Sequence, residues 1–287
     1  NDIYSAYIAA IAPGSPTDVI DAQNSDDVPT ASIDTIRALY RRIYRPENAS
    51  LVIVGDVDPV AVGAMINARF GAWRGYGASP GQVHIPHFDA EQIGPVSHSA
   101  LKYGRNTAML TSVAPIPAAP SSRTAQASAM IMDMLVSRAI NNRMAVTRPG
   151  YPPGKFGFFI EQGEMGHRLM IFWDDFVPGR WQPAVASLQK IRCELQGSGF
   201  DDGELEKAKS DLLRELKQRA DNADGASNFQ VAKDLADALT LDKHLIPPDE
   251  LVRAATSTLP SVTTETMRSW WQNQWPDQTS HLRVESP

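Results

Sequence analysis

The sequence is short of cysteine, of basic charge and of long apolar runs. One cysteine, Cys193, among 287 residues excludes an intramolecular disulfide and a cysteine-rich zinc module. The 27 lysines and arginines are outnumbered by 33 aspartates and glutamates, which gives a formal net charge of −6 and no clustered basic surface for nucleic acid. No apolar run approaches the roughly 20 residues that span a bilayer, and residues 1–16 lack the basic segment that opens a signal peptide. We therefore expect neither nucleic acid nor a membrane as a partner.

Common catalytic motifs are also missing from the sequence. It contains no His-Glu-x-x-His, His-x-x-Glu-His, Gly-x-Ser-x-Gly or Gly-x-Gly-x-x-Gly. The segment from Gly150 to Lys155 approximates a phosphate loop, but its spacing differs and Phe156 stands where a hydroxyl residue would be needed. Cys193 has no histidine placed beside it in the sequence, so an inert structural thiol is favoured over a nucleophile. From these residues we assign no catalytic residue.

One cluster has the spacing of a metal site. His84 and His87, followed by Asp89 and Glu91, could converge on one ion. Glycines and prolines punctuate this segment, whereas metal ligands are usually held on rigid elements, so a solvated linker is favoured and no metal ligand is assigned. Tryptophans at helical spacing likewise favour a core over a ligand platform. They are Trp181, Trp270, Trp271 and Trp275.

The spacing of apolar residues predicts a mixture of helices and strands. Ser32 predicts the N-cap of a helix that Pro46 stops, and Ser50–Gly55 is a continuous β-branched run typical of a strand buried on both faces. Asp58 and Pro59 then predict the start of a second helix. Further strands are predicted at 97–103, 108–113, 155–161, 168–174 and 280–284, and further helices at 121–146, 181–196, 202–220, 226–239, 248–257 and 263–272. The order indicates an α+β architecture with helices on one face of a sheet.

Several stretches resemble the insulinase/pitrilysin family of zinc metallopeptidases, the inverzincins. One runs from Thr35 to Ala49 and contains Tyr-Arg-Pro-Glu-Asn, and the next, Leu51 to Pro59, contains Val-Gly-Asp-Val-Asp-Pro. Gly199 to Leu213 is similar to the family's Gly-Phe-x-x-x-Glu-Leu-x-x-Ala-Lys helix. The segments 135–144 and 148–157 are similar to the corresponding part of bacterial members. The resemblance covers nearly the whole chain.

The resemblance implies an arrangement of domains. The expected fold class is α+β, with two-layer α/β sandwich domains of the LuxS/MPP-like metallohydrolase type and helices packed on mainly antiparallel sheets. Residues 1–78 are expected to be the C-terminal remnant of the first α+β peptidase domain, 79–96 the interdomain linker, and 97–287 the second, inactive C-terminal type domain. In the family, two such domain pairs close around a chamber that holds a peptide.

The resemblance implies a zinc peptidase whose metal site lies outside this sequence. The family binds zinc through the two His of His-x-x-Glu-His and a downstream Glu, and the motif's own Glu activates the metal-bound water. This sequence lacks the motif and has no Glu before Glu47. We therefore assign no catalytic and no metal-binding residue, and the substrate-binding residues are unknown. Zinc is expected only in the parent protein. Because the sequence begins at Asn1, we expect it to be a piece of a longer chain.

Two hypotheses remain open at the level of sequence. In the first, the chain is a fragment of a zinc-dependent endopeptidase that contributes chamber wall and substrate cleft, with an edge strand that pairs with extended peptide. In the second, it is a non-catalytic subunit or scaffold of the same fold that binds peptide or a partner chain. The expected partners are a peptide or protein substrate, the missing N-terminal part, and a second domain pair in cis or as another subunit. The bacterial resemblance favours the periplasm.

Overall fold

The computed structural model describes residues 30–78, 96–100, 106–115, 120, 122–147, 155–162, 167–240, 245–275 and 280–286. Over these ranges it contains five β-strands and eight α-helices, and it divides into two compact units. We call residues 96–221 and 246–286 the sheet unit, and residues 30–78 and 222–245 the helical unit. None of the described helices is both long enough and apolar enough to cross a membrane.

The sheet unit is built on one five-stranded sheet. Its strands are β1 (Val96–Ala100), β2 (Thr107–Pro115), β3 (Phe156–Gln162), β4 (His167–Asp175) and β5 (Ser280–Ser286). Their order across the sheet is β1-β5-β2-β4-β3, so the last strand in the chain lies between the first and the second. The pairs β5–β2, β2–β4 and β4–β3 are antiparallel, and β1 runs parallel to β5. The predicted, mainly antiparallel sheet is confirmed.

Helices cover one face of this sheet. They are α3 (Arg123–Thr147), α4 (Trp181–Gly197), α5 (Asp202–Asp221), α7 (Pro248–Thr258) and α8 (Thr264–Gln274). Because side chains alternate along a strand, Leu110 of β2 and Phe172 of β4, which are paired, point to the same face and join the helices in one core. Trp271 and Trp275 of α8 stack at a centroid distance of 5.0 Å beside Phe172. The predicted α+β packing of helices on a sheet is confirmed.

The tryptophans predicted to be core residues divide between the interior and the surface. Trp271 and Trp275 are fully buried, and Trp270 is half-buried. Trp181, the first residue of α4, is exposed, so the prediction is wrong for this one residue. Helical spacing identifies the face of a helix, but the first turn of α4 extends past the core that its later residues contact.

The helical unit contains three α-helices. They are α1 (Ile33–Ile43), α2 (Pro59–Phe70) and α6 (Asn228–Thr240), with short 3₁₀ turns at Pro46–Asn48 and Ala223–Gly225. The Ser32 hydroxyl accepts a hydrogen bond from the Thr35 amide and caps α1, and the Asp58 carboxylate accepts from the Val60 amide and caps α2. Both predicted caps are therefore confirmed.

The predicted buried strand at Ser50–Gly55 is wrong. Residues 49–54 carry no strand assignment, and Leu51 and Ile53 are exposed while Val52 and Val54 are half-buried. The described residues contain no strand that pairs with this stretch. A run of β-branched residues favours extended backbone, but burial on both faces requires neighbouring strands and covering helices. We call residues 49–54 the extended stretch.

Candidate functional site

An exposed apolar surface lies on α1. Five apolar side chains recur on one face of this helix at positions i, i+3, i+4, i+7 and i+8, which is the pattern of a helix with one buried face. Each of the five is 48 to 60% exposed, and α1 contains no buried residue at all. They are Ile36, Leu39, Tyr40, Ile43 and Tyr44. We call this surface the apolar face of α1.

Charges at both ends of α1 stabilise it locally. Asp34 lies in the first turn, and Arg41 and Arg42 lie in the last, so that each charge opposes the helix dipole. The Tyr40 and Tyr44 rings stack at a centroid distance of 4.5 Å. A contiguous apolar surface on a protein usually marks a place where another surface is buried. The apolar face of α1 is therefore a candidate docking surface.

A buried arginine orders the backbone around this surface. Arg45, only 4% exposed, donates from Nε to Glu47 Oε1 at 2.6 Å and from Nη1 to the Tyr76 carbonyl oxygen at 2.6 Å. It also donates to the carbonyl oxygens of Gly77 and Ala78, each at 3.2 Å. The pKa of the Glu47 carboxyl is lowered, first by its backbone hydrogen bond and then by the Arg45 guanidinium. Arg45 thus fixes residues 76–78 against the end of α1.

The Gly-Phe-x-x-x-Glu-Leu motif has a structural role. Gly199 follows the end of α4 with a positive φ of 72°, and Phe200 is buried in the core. The Glu204 amide donates to Asp201 Oδ1, and the Asp201 amide donates to Glu204 Oε2, which is a reciprocal cap at the start of α5. Arg143 of α3 donates to both carboxylate oxygens of Glu204. The motif therefore joins three helices and holds no reacting group.

Buried ionisable residues line the sheet face opposite the helices. Thr107 of β2 lies opposite Asp175 of β4 and Glu285 of β5, and its hydroxyl donates to Asp175 Oδ1 at 2.7 Å. Arg283 Nε donates to Glu285 Oε1 at 2.6 Å. Burial raises the pKa of the Glu285 carboxyl, and Arg283 opposes that shift. Asp175 and Glu285 therefore each accept a hydrogen bond from a neighbour in this row.

The candidate metal cluster of the sequence lies outside the described residues. His84, His87, Asp89 and Glu91 all fall between residues 79 and 95. Within the ranges that the structure describes, no group of three or more His, Cys, Asp or Glu is positioned to hold a metal ion. Most of the phosphate-loop segment also lies outside these ranges, and Cys193 is an exposed free thiol on α4.

Sequence reasoning missed two residues whose side chains bond to the main chain of another segment. They are Arg45 and, in α3, Asn141, which bonds to the backbone of Phe158. No sequence pattern reveals that Arg45 is buried, because an arginine beside a proline usually lies in solvent. Asn141 offered a weak signal. An asparagine inside a 25-residue helix such as α3 is unfavourable for the helix itself, which suggests a role for its side chain.

Known proteins share the architecture described above. The profile described as the peptidase M16 inactive domain matches residues 30–212, and a search of curated proteins finds no match. The first half of the periplasmic protease PqqL from Escherichia coli superposes with a TM-score of 0.71 at 17% identity, covering 91% of this chain and 56% of that chain. A predicted insulinase family protease from Yersinia pestis gives a TM-score of 0.76 at 12% identity, covering 98% and 60%.

A complex shows the same fold beside a protein ligand. The ferredoxin protease FusC, as a variant in complex with Arabidopsis ferredoxin, gives a TM-score of 0.68 at 15% identity, covering 100% of this chain and 32% of that chain. Identities this low show a shared fold and nothing finer. The chain spans 32 to 60% of the length of these three proteins.

Proposed function

Since this chain belongs to the peptidase M16 family, through the inactive domain, we propose that it forms the non-catalytic part of a zinc-dependent endopeptidase. In this proposal the sheet unit contributes chamber wall and part of a peptide-binding cleft. Residues 79–96 link it to residues 1–78, which belong to a neighbouring α+β domain. The metal and the water-activating Glu come from another part of the parent protein.

The observation that carries the proposal is the apolar face of α1. Full burial of one aliphatic or aromatic side chain is worth about 1.5–3 kcal/mol, and five such side chains on α1 are each about half exposed. Leu51 and Ile53 in the extended stretch add two more apolar side chains to the same unit. A companion that supplies strands beside the extended stretch and an apolar surface for α1 recovers this free energy. We infer that the companion is the remainder of the zinc-binding α+β domain.

The chain's own described residues do not fit a zinc site. They hold no group of three or more His, Cys, Asp or Glu that could bind a metal ion, so no step of peptide hydrolysis is assigned to them. Their role in this proposal is to position a peptide and to exclude water from the chamber. The peptide or protein substrate follows from the family, and the FusC complex is an example of a relative holding a protein.

The compartment is part of the same proposal. PqqL, which shares the fold, is named as a periplasmic protease, and we propose the periplasm for the parent of this chain. A signal peptide encoded upstream of Asn1 is the expected observation. An encoded upstream sequence without a signal peptide contradicts the periplasmic assignment. It leaves the proposed role of the chain unaffected.

The experiment joins this chain to the polypeptide encoded immediately upstream of Asn1. That sequence is expected to contain His-x-x-Glu-His, and the two parts produced together are expected to copurify, bind one zinc and cleave casein in a zinc-dependent manner. An upstream sequence without the motif contradicts the peptidase proposal and favours a non-catalytic scaffold of the same fold.

Two variants on α1 test the docking surface itself. Leu39→Asp introduces a charge on the apolar face, and copurification with the companion is expected to fall at least tenfold. Ala38→Asp is the matched control, because Ala38 is also exposed but lies on the opposite side of the helix. Equal loss in both variants, or loss in neither, contradicts docking through the apolar face of α1.

A further inference from the structure

The outer edge of β3 carries an unusual contact. Among the described strands, β3 lies at one end of the sheet and pairs with β4, where Phe158 stands opposite Phe172. The Phe158 amide donates to Asn141 Oδ1 at 2.8 Å, and Asn141 Nδ2 donates to the Phe158 carbonyl oxygen at 2.9 Å. Both backbone groups of Phe158 therefore bond to a side chain of α3 at the position where a neighbouring strand would bond.

The Asn141 carboxamide is held in this position from both sides. Its Nδ2 also donates to the Ser137 carbonyl oxygen at 2.8 Å, so its two N–H groups and its oxygen all have partners. Gly157 makes the approach possible. A Cβ at Gly157 would lie 3.3 Å from Asn141 Oδ1 and 2.8 Å from Trp173 Nε1, so a larger residue would push the amide or the indole away.

Open strand edges are hazards that proteins block with charges, prolines, bulges or covering helices. The sequence of β3, Phe-Gly-Phe-Phe-Ile-Glu-Gln, has one charge in seven residues and is rich in aromatic and β-branched residues, which is the composition that favours strand pairing between chains. Phe159 of this strand is 42% exposed. β3 thus has the composition of a strand that needs a block at its edge.

We propose that Asn141 closes the outer edge of β3 against pairing with a second copy of this chain. Its carboxamide oxygen and one of its two N–H groups take the place of the C=O and N–H of a residue in an added strand. Without it, the outward N–H and C=O of Phe158 are free to pair with the same groups of another copy, in an antiparallel arrangement centred on Phe158. This inference is independent of the zinc peptidase proposal, since it concerns only the sheet unit.

The test compares variants of the full chain at two neighbouring asparagines. Asn141→Leu keeps the approximate size of the side chain and removes both hydrogen bonds. Asn142→Leu is the matched control, because Asn142 bonds to Asp211 of α5 and not to β3. Light scattering after size exclusion over a hundredfold concentration range, together with hydrogen exchange of residues 156–162, reads out the result.

Asn141→Leu is expected to shift the average mass from that of the wild type towards a dimer of the 31.4 kDa chain. Amides 156–162 are expected to gain protection in the associated form, while Asn142→Leu behaves as the wild type. Because the hydrogen exchange reports on β3 directly, association through the apolar face of α1 does not imitate this result. If Asn141→Leu does not fold, Asn141→Ser, which is too short to bridge both groups, is expected to give the same shift.

Two outcomes overturn the proposal. One is a folded Asn141 variant with the mass distribution of the wild type. The other is association without added protection at 156–162. Asn141→Asp gives a further check, because it keeps the acceptor for the Phe158 amide and adds a negative charge at the edge. It is expected to stay in the wild-type association state, and association equal to that of Asn141→Leu contradicts the proposal.

Discussion

At the scale of single residues, two side chains that bond to the main chain, the buried Arg45 and the half-buried Asn141, determine local geometry. Arg45 satisfies three carbonyl oxygens and one carboxylate, and Asn141 satisfies an amide and a carbonyl of β3. Both lie within or beside segments that carry the family resemblance. Within these segments, Arg45 and Asn141 therefore act by holding backbone in place.

Loss of the Arg45 side chain is expected to destabilise the helical unit. Arg45→Ala leaves the Tyr76, Gly77 and Ala78 carbonyls and the Glu47 carboxylate without their donor, at a cost of about 2–3 kcal/mol. The effect is measured as the midpoint of urea unfolding, with hydrogen exchange of residues 30–78 as the probe of the helical unit. Arg42→Ala, at an exposed position of the preceding helix, is expected to change stability by less than about 0.5 kcal/mol.

Gly75 provides a second route to the same result. A Cβ at Gly75 would lie 2.6 Å from Arg45 Nη2, so Gly75→Ala is expected to displace the guanidinium and lower the stability of the helical unit. If Arg45→Ala and Arg42→Ala unfold at the same urea concentration, the Arg45 contacts contribute nothing to stability.

At the scale of elements, a glycine fixes the turn at the end of α4. The amides of Ser198 and Gly199 both donate to the Glu194 carbonyl oxygen, and Gly199 has a φ of 72°. This is the left-handed helix end that glycine adopts without steric cost. The turn directs Phe200 into the core and leaves four residues between the end of α4 and the start of α5.

Replacing each of two glycines at this turn by alanine is expected to change the free energy of unfolding in opposite directions. Gly199→Ala forces a Cβ into the left-handed region and is expected to lower the free energy of unfolding by about 1–2 kcal/mol. Gly197 is the last residue of α4, and no atom outside the nearby helix backbone lies within 4 Å of an added Cβ. Gly197→Ala is therefore expected to raise the free energy of unfolding by up to about 0.5–1 kcal/mol. Thermal and urea unfolding of the two variants measure the difference, and changes of the same sign contradict this account of the turn.

At the scale of the whole molecule, the two units differ in how completely they are packed. The sheet unit has a continuous core of strands and helices, whereas α1 and α2 of the helical unit contain no buried residue. A marginally stable chain does not usually leave such a surface in water. The helical unit is therefore the part whose stability is expected to change most when a companion binds.

The isolated chain is expected to be inactive and free of bound zinc. After dialysis, elemental analysis is expected to find much less than one zinc per chain, and the chain is expected not to cleave casein with or without added zinc. The reason is that the ligands implied by the family are not in this sequence. One zinc retained per chain, or proteolysis abolished by a chelator, would refute this prediction.

The sequence by itself determined nearly every helix and strand that the structure describes, because caps, prolines, glycines and apolar spacing act over a few residues. Ser32 and Asp58 cap the predicted helices. The sequence also determined the family, since its motifs are contiguous. What it did not determine is the environment of each element.

Only the tertiary structure decided that the extended stretch is exposed, that Arg45 is buried, and that Asn141 reaches the edge of β3. The sequence presents residues 51–54 as a buried strand, but burial depends on neighbouring strands, and none in the described chain pairs with them. Arg45 and Asn141 bond to residues 31 and 17 positions away, and no local pattern records such distances. Local signals determine what an element is, and long-range contacts determine what it faces.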